Sequence, residues 1–495
     1  MFNQPQLDSV KAWLSHPDYA NYPLYLRIQR AIRQLILDSA LQPTQALPAT
    51  RTLARSLEVS RDTVENAYSL LHAEGYIERR AGSGSFVAAM PQLKKAKINA
   101  ANRQLEKPQL SRRAQHLLTN EGVREATQPV PFAPGVPEVR LFPLSLWERL
   151  ERQVIKELGT SCLQHSDAQG VFVLRQAIAN YVNLERGAHA TPEQVLILTS
   201  SQQAISLCAQ LLFDEKDIIA CENPMYVGAQ KAFLAAGLQL KPINVDEQGV
   251  QLESLFQEPR HNVKGIFLTP SHQYPTGTTL SLERRLALIE WAQQHKAWII
   301  EDDYDSEFHY IGKPTACVQG LDPYQRTIYI GTFTKSLFPG LRIGYMILPP
   351  ALVTPMTSAR TLQDGHTATL SQLTLARFIE NGHFGAYIRQ MRQVYAKRLE
   401  CLQQLIRNHL ADYFIAAKPQ GGMQIFCQLK QATNEQLILA LARISKLKLT
   451  PISSLYITEH KCSGFLLGFA AYTPRELEVA VNTLAKICKT LSTPS

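Results

Sequence analysis

The 495-residue sequence is poor in clustered cysteines and in long apolar runs. Its eight Cys residues are spread without a Cys-x-x-Cys pair or a Cys/His group, so neither a disulfide framework nor a metal site is predicted. No stretch approaches the roughly 18 apolar residues that a membrane span needs. The first residues, Met1 to Gln4, lack the basic and then apolar character of a signal peptide. The sequence therefore predicts a cytoplasmic protein with no membrane partner.

Acidic residues are scarcer than basic ones, and the imbalance is concentrated near the N-terminal end. The formal net charge is +9. Residues 1–128 hold 17 Lys and Arg against 11 Asp and Glu, a balance of +6, which leaves 34 against 31, or +3, for the remaining 367 residues. This asymmetry favours a polyanionic partner such as DNA, although a solvated basic surface would give the same composition.

The N-terminal part contains three segments in which apolar side chains recur at helical spacing. The first helix is predicted from Tyr25 to Leu37 and the second from Ala49 to Leu57, with Ala49 or, more plausibly, Thr50 as its cap. The third runs from Arg61 to Leu71 and begins at a good cap, Ser60. Polar residues at its start face away from its apolar side, which is typical of a recognition helix.

A glycine-rich stretch follows, in which apolar and polar residues alternate over residues 75–87. This pattern predicts a two-stranded hairpin, or wing. The whole arrangement resembles the GntR-type winged-helix family, especially at Leu47 to Arg51, Val59 to Val64 and Gly82 to Val87. The resemblance covers the complete module.

Several residues of this module are implied by the resemblance to contact DNA phosphates, base edges and the minor groove. They are Arg51, Ser60, Arg61, Thr63, Gly82 and Gly84. Arg61 is the strongest candidate for a base contact, whereas an isolated arginine would more often form a surface salt bridge. The family often has Gly near Ser39 and Thr44, and its absence predicts a different turn there.

Beyond Pro129, short apolar runs alternate with amphipathic helices. The runs are residues 194–198, 218–221, 265–268, 297–300 and 327–330. Near-continuous apolar strands indicate a sheet covered on both faces, so an α/β fold with a mostly parallel central sheet is predicted. Ligands in such folds bind beyond the carboxyl ends of the strands.

Polar motifs follow these predicted strands. Small polar residues open a helix at Thr199 to Ile205, where exposed N–H groups suit a phosphate, although an ordinary helix cap is the alternative. An acidic cluster at Glu301 to Glu307 needs a cation nearby. After the last strand, Lys335 is followed seven positions later by Arg342.

Together these motifs resemble the fold-type I aminotransferases, and more closely the MocR/GabR subfamily, in which such a domain follows a GntR-type winged helix. The resemblance implies pyridoxal 5'-phosphate (PLP) as cofactor. Lys335 would form the internal aldimine, and Asp302 would pair with the pyridinium nitrogen, with Asp303 as the adjacent alternative. Tyr304 would donate to the phenolate oxygen and Tyr226 would stack on the ring. The phosphate would be held by Arg342, Thr332, Ser200, Ser201 and Gln202.

Two departures from the aminotransferase pattern bear on the chemistry. Tyr274 begins Tyr-Pro-Thr-Gly where many catalytic members have Asn-Pro-x-Gly, so one polar contact to the cofactor ring is missing. Leu466 stands where the domain usually has an arginine that binds a substrate carboxylate. This anchor is predicted to be absent unless another arginine such as Arg140 supplies it.

Three domains are predicted: a winged helix-turn-helix over residues 1–88, a basic linker over 89–128, and an aminotransferase-like domain of fold type I over 129–495. The chain is predicted to be a PLP-dependent transcription regulator that senses PLP or an amino compound through an aldimine at Lys335. Its targets would be genes of vitamin B6 or amino-compound metabolism. Its expected partners are a double-stranded DNA operator, a small-molecule effector and a second copy in a homodimer.

Two other functions remain open. One is an active aminotransferase with an auxiliary DNA-binding domain, and the other is a DNA-binding protein whose PLP fold serves only dimerisation. The absent carboxylate anchor favours a sensor over an enzyme, because efficient turnover needs an oriented substrate.

Overall fold

The computed structural model describes most of the chain, namely residues 2–89, 109–111, 114–115, 130–259, 261–312, 315–430, 435–458 and 462–492. It divides into two compact units, Met1–Pro108 and Gln109–Ser495. Most of the predicted linker lies outside the described residues, so the domain boundaries at 88 and 128 stay predictions.

The first unit packs helices against a small hairpin. Its elements are α1 (Gln4–Ser15), α2 (Leu24–Leu37), α3 (Thr50–Leu57), α4 (Arg61–Ala73), β1 (Ile77–Arg80) and β2 (Gly84–Val87). The two strands pair antiparallel, with Ile77 opposite Val87. Apolar faces of α2, α3 and α4 meet in one core that contains Ile32, Leu53 and Val64. The three predicted helices and the predicted wing are therefore confirmed.

The cap of α4 is the predicted residue, whereas the cap of α3 is not the one that the sequence favoured. Ser60 caps α4 as predicted, since its Oγ accepts a hydrogen bond from the Thr63 amide at 3.1 Å. Thr50 is instead the first residue of α3, and Ala49 is the N-cap without a side-chain bond. The Tyr68 hydroxyl donates to the Pro48 carbonyl at 2.9 Å and fixes the chain just before the helix. A tertiary contact thus sets the helix start in place of a capping side chain.

Two local features of this unit differ from what the sequence predicted. Helix α1 was not predicted, although Asn3 and Gln6 form a capping box at its start. Ser39 and Thr44 adopt φ values of 58° and 64°, the left-handed conformation that glycine usually supplies. The turn therefore keeps a glycine-type backbone without glycine, contrary to the expectation of a different turn.

The second unit is larger and mixes helices with two sheets. Its helices are α5 (Leu144–Leu158), α6 (Phe172–Arg186), α7 (Ser201–Leu211), α8 (Val227–Ala235), α9 (Glu253–Phe256), α10 (Leu282–His295), α11 (Val318–Leu321), α12 (Phe333–Ser336), α13 (Pro350–Asp364), α14 (Thr369–Glu380), α15 (His383–His409), α16 (Glu435–Ile444) and α17 (Pro474–Ser492). Its strands are β3 (Val195–Leu198), β4 (Ile218–Asn223), β5 (Gln239–Asp246), β6 (Gly249–Val250), β7 (Val263–Leu268), β8 (Trp298–Asp303), β9 (Thr327–Thr332), β10 (Gly344–Ile347), β11 (Phe414–Ala416), β12 (Gln424–Leu429), β13 (Thr450–Pro451) and β14 (Gly464–Gly468).

The main sheet has the order β3-β10-β9-β8-β7-β4-β5-β6. Strands β9, β8, β7, β4 and β5 are parallel to their neighbours in that series. Strand β10 runs antiparallel to both β9 and β3, so β3 points in the same direction as the parallel strands. All five strands predicted from apolar runs are present and share one direction, which confirms the mostly parallel sheet.

Both faces of the main sheet are covered. Successive residues of β3, such as Leu196 and Ile197, belong to separate hydrophobic clusters on its two faces. The carboxyl ends of β3, β4, β7, β8 and β9 consequently lie at one edge, where the predicted polar motifs begin. A second, antiparallel sheet has the order β11-β12-β14-β13. Among the described residues, no helix combines the length and apolarity that crossing a bilayer requires.

Candidate cofactor site and DNA-binding surface

The carboxyl end of β8 carries two adjacent aspartates in different environments. Asp303 is bound within the protein: its Oδ2 accepts hydrogen bonds from Arg186 Nε at 2.8 Å and from the Tyr329 hydroxyl at 2.6 Å. Burial opposes the ionisation of Asp303, but Arg186 and Tyr329 hold its pKa below the usual range. Asp303 is therefore a structural anion, which leaves Asp302 as the better candidate of the two for contact with a ligand.

Asp302 is 4% exposed, and its Oδ1 has no hydrogen-bond partner among the described residues. Burial raises the pKa of Asp302 to about 8, and the carboxylates of Asp303 and Asp305 add to the rise. The nearby Lys335 ammonium partly offsets it. A buried carboxyl group without a partner is costly unless a donor binds it. A protonated pyridine nitrogen would be such a donor.

Lys335 lies in the short helix α12, directly after β9. Thr332 ends that strand and caps the helix, since its Oγ1 accepts a hydrogen bond from the Thr334 amide at 3.2 Å. The lysine amine reaches the backbone of Gly135, where an added Cβ would lie 3.2 Å from Nζ. The strand end thus places the amine close enough to Asp302 for its charge to favour the ionisation of that carboxyl group. The space around these two residues is the candidate cofactor pocket.

Three tyrosines form a chain of edge-to-face contacts beside this pocket. The Tyr226 and Tyr274 ring centroids are 5.8 Å apart, and those of Tyr274 and Tyr304 are 6.0 Å apart. Burial raises the pKa of Tyr274 to about 12, so its phenol stays protonated. Tyr274 therefore fills the position of the usual asparagine with a neutral ring that connects the two tyrosines predicted to contact the cofactor.

The predicted phosphate-binding residues meet at one edge of the main sheet. Ser200 caps α7, its Oγ accepting from the Gln203 amide at 3.2 Å, so this hydroxyl is already used by the helix. The first N–H groups of the helix, at Ser201 and Gln202, have no partner within the helix. Gln202 Nε2 donates to the Gly228 carbonyl at 2.9 Å. Backbone N–H groups are thus better placed than the Ser200 hydroxyl to bind an anion.

Thr332 and Arg342 approach the same edge from the other side. Gly344 pairs with Thr332, and a Cβ added to Gly344 would lie 3.1 Å from the Ser200 carbonyl carbon. Arg342, two residues before Gly344, is exposed and has a left-handed φ of 53°. The fold therefore brings the start of α7 close to Gly344 and its pair Thr332, and Arg342 lies two residues before Gly344.

These residues fit PLP. The partnerless Asp302 oxygen suits a pyridinium N–H, Lys335 offers a primary amine, and the start of α7 offers N–H groups to a phosphate. PLP supplies an aldehyde that a lysine binds covalently and a ring that withdraws electrons. The roles of the individual residues remain predictions.

The expected carboxylate anchor is not replaced by Arg140. Its guanidinium lies 2.7 Å from Glu138 and 3.0 Å from Glu476, and it also donates to the Ala471 carbonyl. Leu466 is fully buried in β14. The position of the usual arginine is apolar, and Arg140 is already occupied by two carboxylates.

Three residues near the pocket escaped the sequence analysis. Gly135 was signalled by its place in Pro-Gly-Val-Pro, which favours a turn, and it leaves room for the lysine. Glu222, the last residue but one of β4, accepts from the Thr269 hydroxyl at 2.7 Å, and burial raises its pKa to about 7. Gln424 Nε2 donates to the Tyr304 hydroxyl at 3.4 Å. A single glutamine in an apolar strand gives no sequence signal for this role.

The predicted DNA contacts lie on the first unit. Arg51 and Arg61 are exposed at the starts of α3 and α4. Ser60 and Thr63 are less available, because their hydroxyls are 2.7 Å apart and serve the cap of α4. Gly82 and Gly84, at the tip of the wing, have φ values of 73° and 103° and open space around them. The two arginines and the two glycines are therefore accessible to DNA.

Comparison with known proteins agrees with both units. Residues 24–87 match the family described as bacterial regulatory proteins, gntR family, and residues 142–484 match aminotransferase class I and II. The chain is 36% identical over 465 residues to the probable rhizopine catabolism regulatory protein MocR of Rhizobium meliloti, covering 94% of each. It is 30% identical to the pyridoxine biosynthesis transcriptional regulator PdxR of Corynebacterium glutamicum, covering 77% of this chain and 78% of PdxR.

Solved aminotransferase structures share the fold of the second unit. LysN of Thermus thermophilus, an α-aminoadipate aminotransferase solved with N-(5'-phosphopyridoxyl)-L-leucine, is 25% identical, with a TM-score of 0.71. The likeness covers 77% of this chain and 97% of LysN. With a gntR-type winged helix joined to an aminotransferase class I and II domain, this protein belongs to the MocR/GabR subfamily of PLP-binding transcription regulators.

Proposed function

We propose that the aminotransferase-like domain of this regulator senses PLP or an amino compound through an aldimine at Lys335, and that this changes how the winged helix binds a double-stranded DNA operator. The protein would act as a cytoplasmic homodimer on genes of vitamin B6 or amino-compound metabolism. The names of PdxR and MocR, which refer to pyridoxine biosynthesis and to rhizopine catabolism, support this range of targets.

The observation that carries the proposal is the contact between Lys335 and Gly135. Gly135 has a φ of 65°, and an added Cβ would lie 3.5 Å from Lys335 Cε as well as 3.2 Å from Nζ. The Gly135 backbone is therefore a close neighbour of the lysine amine. A group attached to that amine would change the surroundings of this backbone.

Gly135 belongs to a segment, residues 130–141, that follows the predicted linker directly. We call it the entry segment. It is fixed on both sides of Gly135, since the Phe132 carbonyl accepts from the Gly468 amide at 2.9 Å. On the other side, Glu138 is buried and lies 2.8 Å from Arg398. A shift at Lys335 would reach the linker through few intervening bonds, which supports a signal directed toward the DNA-binding unit.

The exposed arginines support the DNA half of the proposal. Arg61, at the start of the recognition helix, is the best candidate to read a base edge, and Arg51 suits a backbone phosphate. Replacing Arg61 with alanine is expected to weaken operator binding by about 1–3 kcal/mol and to relax specificity. Fluorescence anisotropy with matched and single-base variants of the operator would measure both effects.

Aminotransferase activity is the second candidate. It is favoured by the fit of the cofactor residues and by the likeness to LysN, but Leu466 and the occupied Arg140 argue against an amino-acid carboxylate being held. We expect single half-reactions at most. Steady multiple turnover with any amino donor and 2-oxo acid would establish the enzyme instead.

The experiment that tests the sensor is a titration of PLP into apo-protein bound to a labelled operator. The visible absorption of the lysine-bound cofactor gives the occupancy, and anisotropy gives the DNA affinity of the same sample. We expect the affinity to change in step with the occupancy. An affinity that stays constant up to saturation would contradict the proposal.

A further inference from the structure

Gln424 lies beside the lysine, and the oxygen of its side-chain amide lacks a hydrogen-bond partner among the described residues. It begins β12 and is 8% exposed. A Cβ added to Gly135 would lie 3.8 Å from Gln424 Oε1 and 3.2 Å from Lys335 Nζ, so both polar groups face the same point of the entry segment. Oε1 is buried and has no hydrogen-bond partner among the described residues. Such a group is costly to bury unless a ligand satisfies it.

The register of β12 and β14 shows what surrounds this amide. Gln424 lies opposite Gly468, and Phe426 lies opposite Leu466. Directly opposite residues of antiparallel strands share a face, and so do alternate residues of one strand. Gln424, Phe426 and Leu466 are therefore on one face of this sheet, and residues such as Ile425 and Leu467 point into the hydrophobic core on the other.

The charges in this part of the unit do not favour an anion. The carboxylates of Asp303, Asp305 and Glu222 oppose the ionisation of Asp302, and the charge of Lys335 offsets this effect only in part. The two guanidinium groups near the entry segment, Arg140 and Arg398, are both bound to Glu138. A ligand carboxylate placed against Gln424 would meet a neutral amide, an aromatic ring and an aliphatic chain.

We propose that Gln424 selects the effector, and that the effector is a small primary amine whose other end carries a neutral hydrogen-bonding group such as a hydroxyl or a carboxamide. The amine would be the group recognised at the lysine-bound cofactor. The neutral group would bind the free amide oxygen of Gln424, and Phe426 and Leu466 would exclude carboxylates. The inference rests on the proposed sensing function and specifies its ligand class.

The test uses the PLP-loaded full-length protein and four probes of similar size. Ethanolamine and glycinamide carry neutral polar ends, glycine carries a carboxylate, and propylamine is apolar. Calorimetric titration and the shift in visible absorption give their affinities. We expect the two neutral polar amines to bind up to about tenfold more tightly than glycine and propylamine, because a hydrogen bond to a buried group contributes about that much at most.

Variants of β12 assign the preference to Gln424. Gln424→Leu is expected to bind ethanolamine and propylamine about equally. The matched control is Gln428→Leu, an exposed residue of the same strand, which is expected to leave the ranking unchanged. The proposal is overturned if wild type binds glycine as tightly as glycinamide, or if Gln424→Leu keeps the wild-type ranking.

Operator binding, measured on the same samples, distinguishes a wrong ligand class from a wrong sensing function. If DNA affinity responds to PLP but none of the amines binds, the ligand class is wrong and the sensing function stands. If DNA affinity responds neither to PLP nor to any probe, the sensing function itself fails.

Discussion

The pocket around Lys335 has two sides that are built differently. On the side formed by the main sheet, which we call the cofactor side, charged groups stand at strand ends and each requires a particular kind of partner. On the side formed by β12 and β14, which we call the ligand side, one face of the sheet carries Gln424, Phe426 and Leu466. Charged groups restrict which ligands can bind the cofactor side. The neutral groups of the ligand side restrict its ligands much less. The cofactor can therefore be deduced more surely than the effector.

The contrast between the adjacent aspartates of the cofactor side gives the largest expected effect. Asp303→Asn would leave Arg186 buried without its carboxylate. Breaking a buried ion pair in this way costs about 3–5 kcal/mol. Urea denaturation of the apo-protein should show this loss, and a stability equal to wild type would mean that Asp303 is not the structural anion described here.

Asp302→Asn should act on the cofactor more than on the fold. A hydrogen bond to a charged group contributes about 1.5–3 kcal/mol, so we expect PLP to bind roughly 10- to 100-fold more weakly. Absorption titration of PLP into the apo-protein measures this change. If Asp302→Asn bound PLP like wild type, the pairing of Asp302 with the pyridinium nitrogen would be wrong.

The pH dependence of stability tests the same carboxyl group. The pKa of Asp302 rises in the folded protein from its ordinary 3.8 to about 8, chiefly through burial. Its contribution to stability is complete below about pH 4 and is lost as the pH rises toward 8. Compared with that of Asp302→Asn, the free energy of unfolding of the apo wild type should fall by up to about 1.4 kcal/mol per pH unit across this interval.

Saturating PLP provides the control for this titration, because the pyridinium would supply the missing cation. We expect the difference between wild type and Asp302→Asn to shrink when the cofactor is present. Parallel stability profiles of the two apo-proteins between pH 5 and 8 would contradict the raised pKa.

Arg140→Ala gives the smallest expected effect and tests the ligand side. Its side chain is half exposed, and Glu138 retains Arg398 at 2.8 Å. The loss of stability should be about 1 kcal/mol or less. The affinities of the amine probes should not change. A tenfold loss for glycine alone would show that Arg140 anchors carboxylates after all.

The sequence predicted more about the cofactor side than about the ligand side, for a physical reason. The polar ends of β8 and β9 interrupt apolar strands, so Asp302 and Lys335 stand out in the chain. The contacts of Gln424 with Tyr304 join residues 120 positions apart and have no local pattern. The resemblance favoured Asp302 over Asp303, but the bond that occupies Asp303 comes from Arg186, which lies more than a hundred residues upstream and gives no local signal.

The same reasoning explains the results in the first unit. Helical periodicity and the Ser60 cap are local properties, and they were predicted correctly. The segment before α3 is held by Tyr68, a residue of the next helix, and the cap of α3 is Ala49 and not the favoured Thr50. The left-handed backbone at Ser39 and Thr44 lacks the glycine that normally marks it.

The proposed sensor depends on the covalent bond at Lys335, which would control operator binding. The most direct test compares wild type with Lys335→Ala in a PLP titration of operator affinity, with exposed Lys397→Ala as the matched control. We predict that wild type and the control respond to PLP, and that Lys335→Ala binds the operator with an affinity independent of PLP. An equal PLP response in Lys335→Ala would contradict the account.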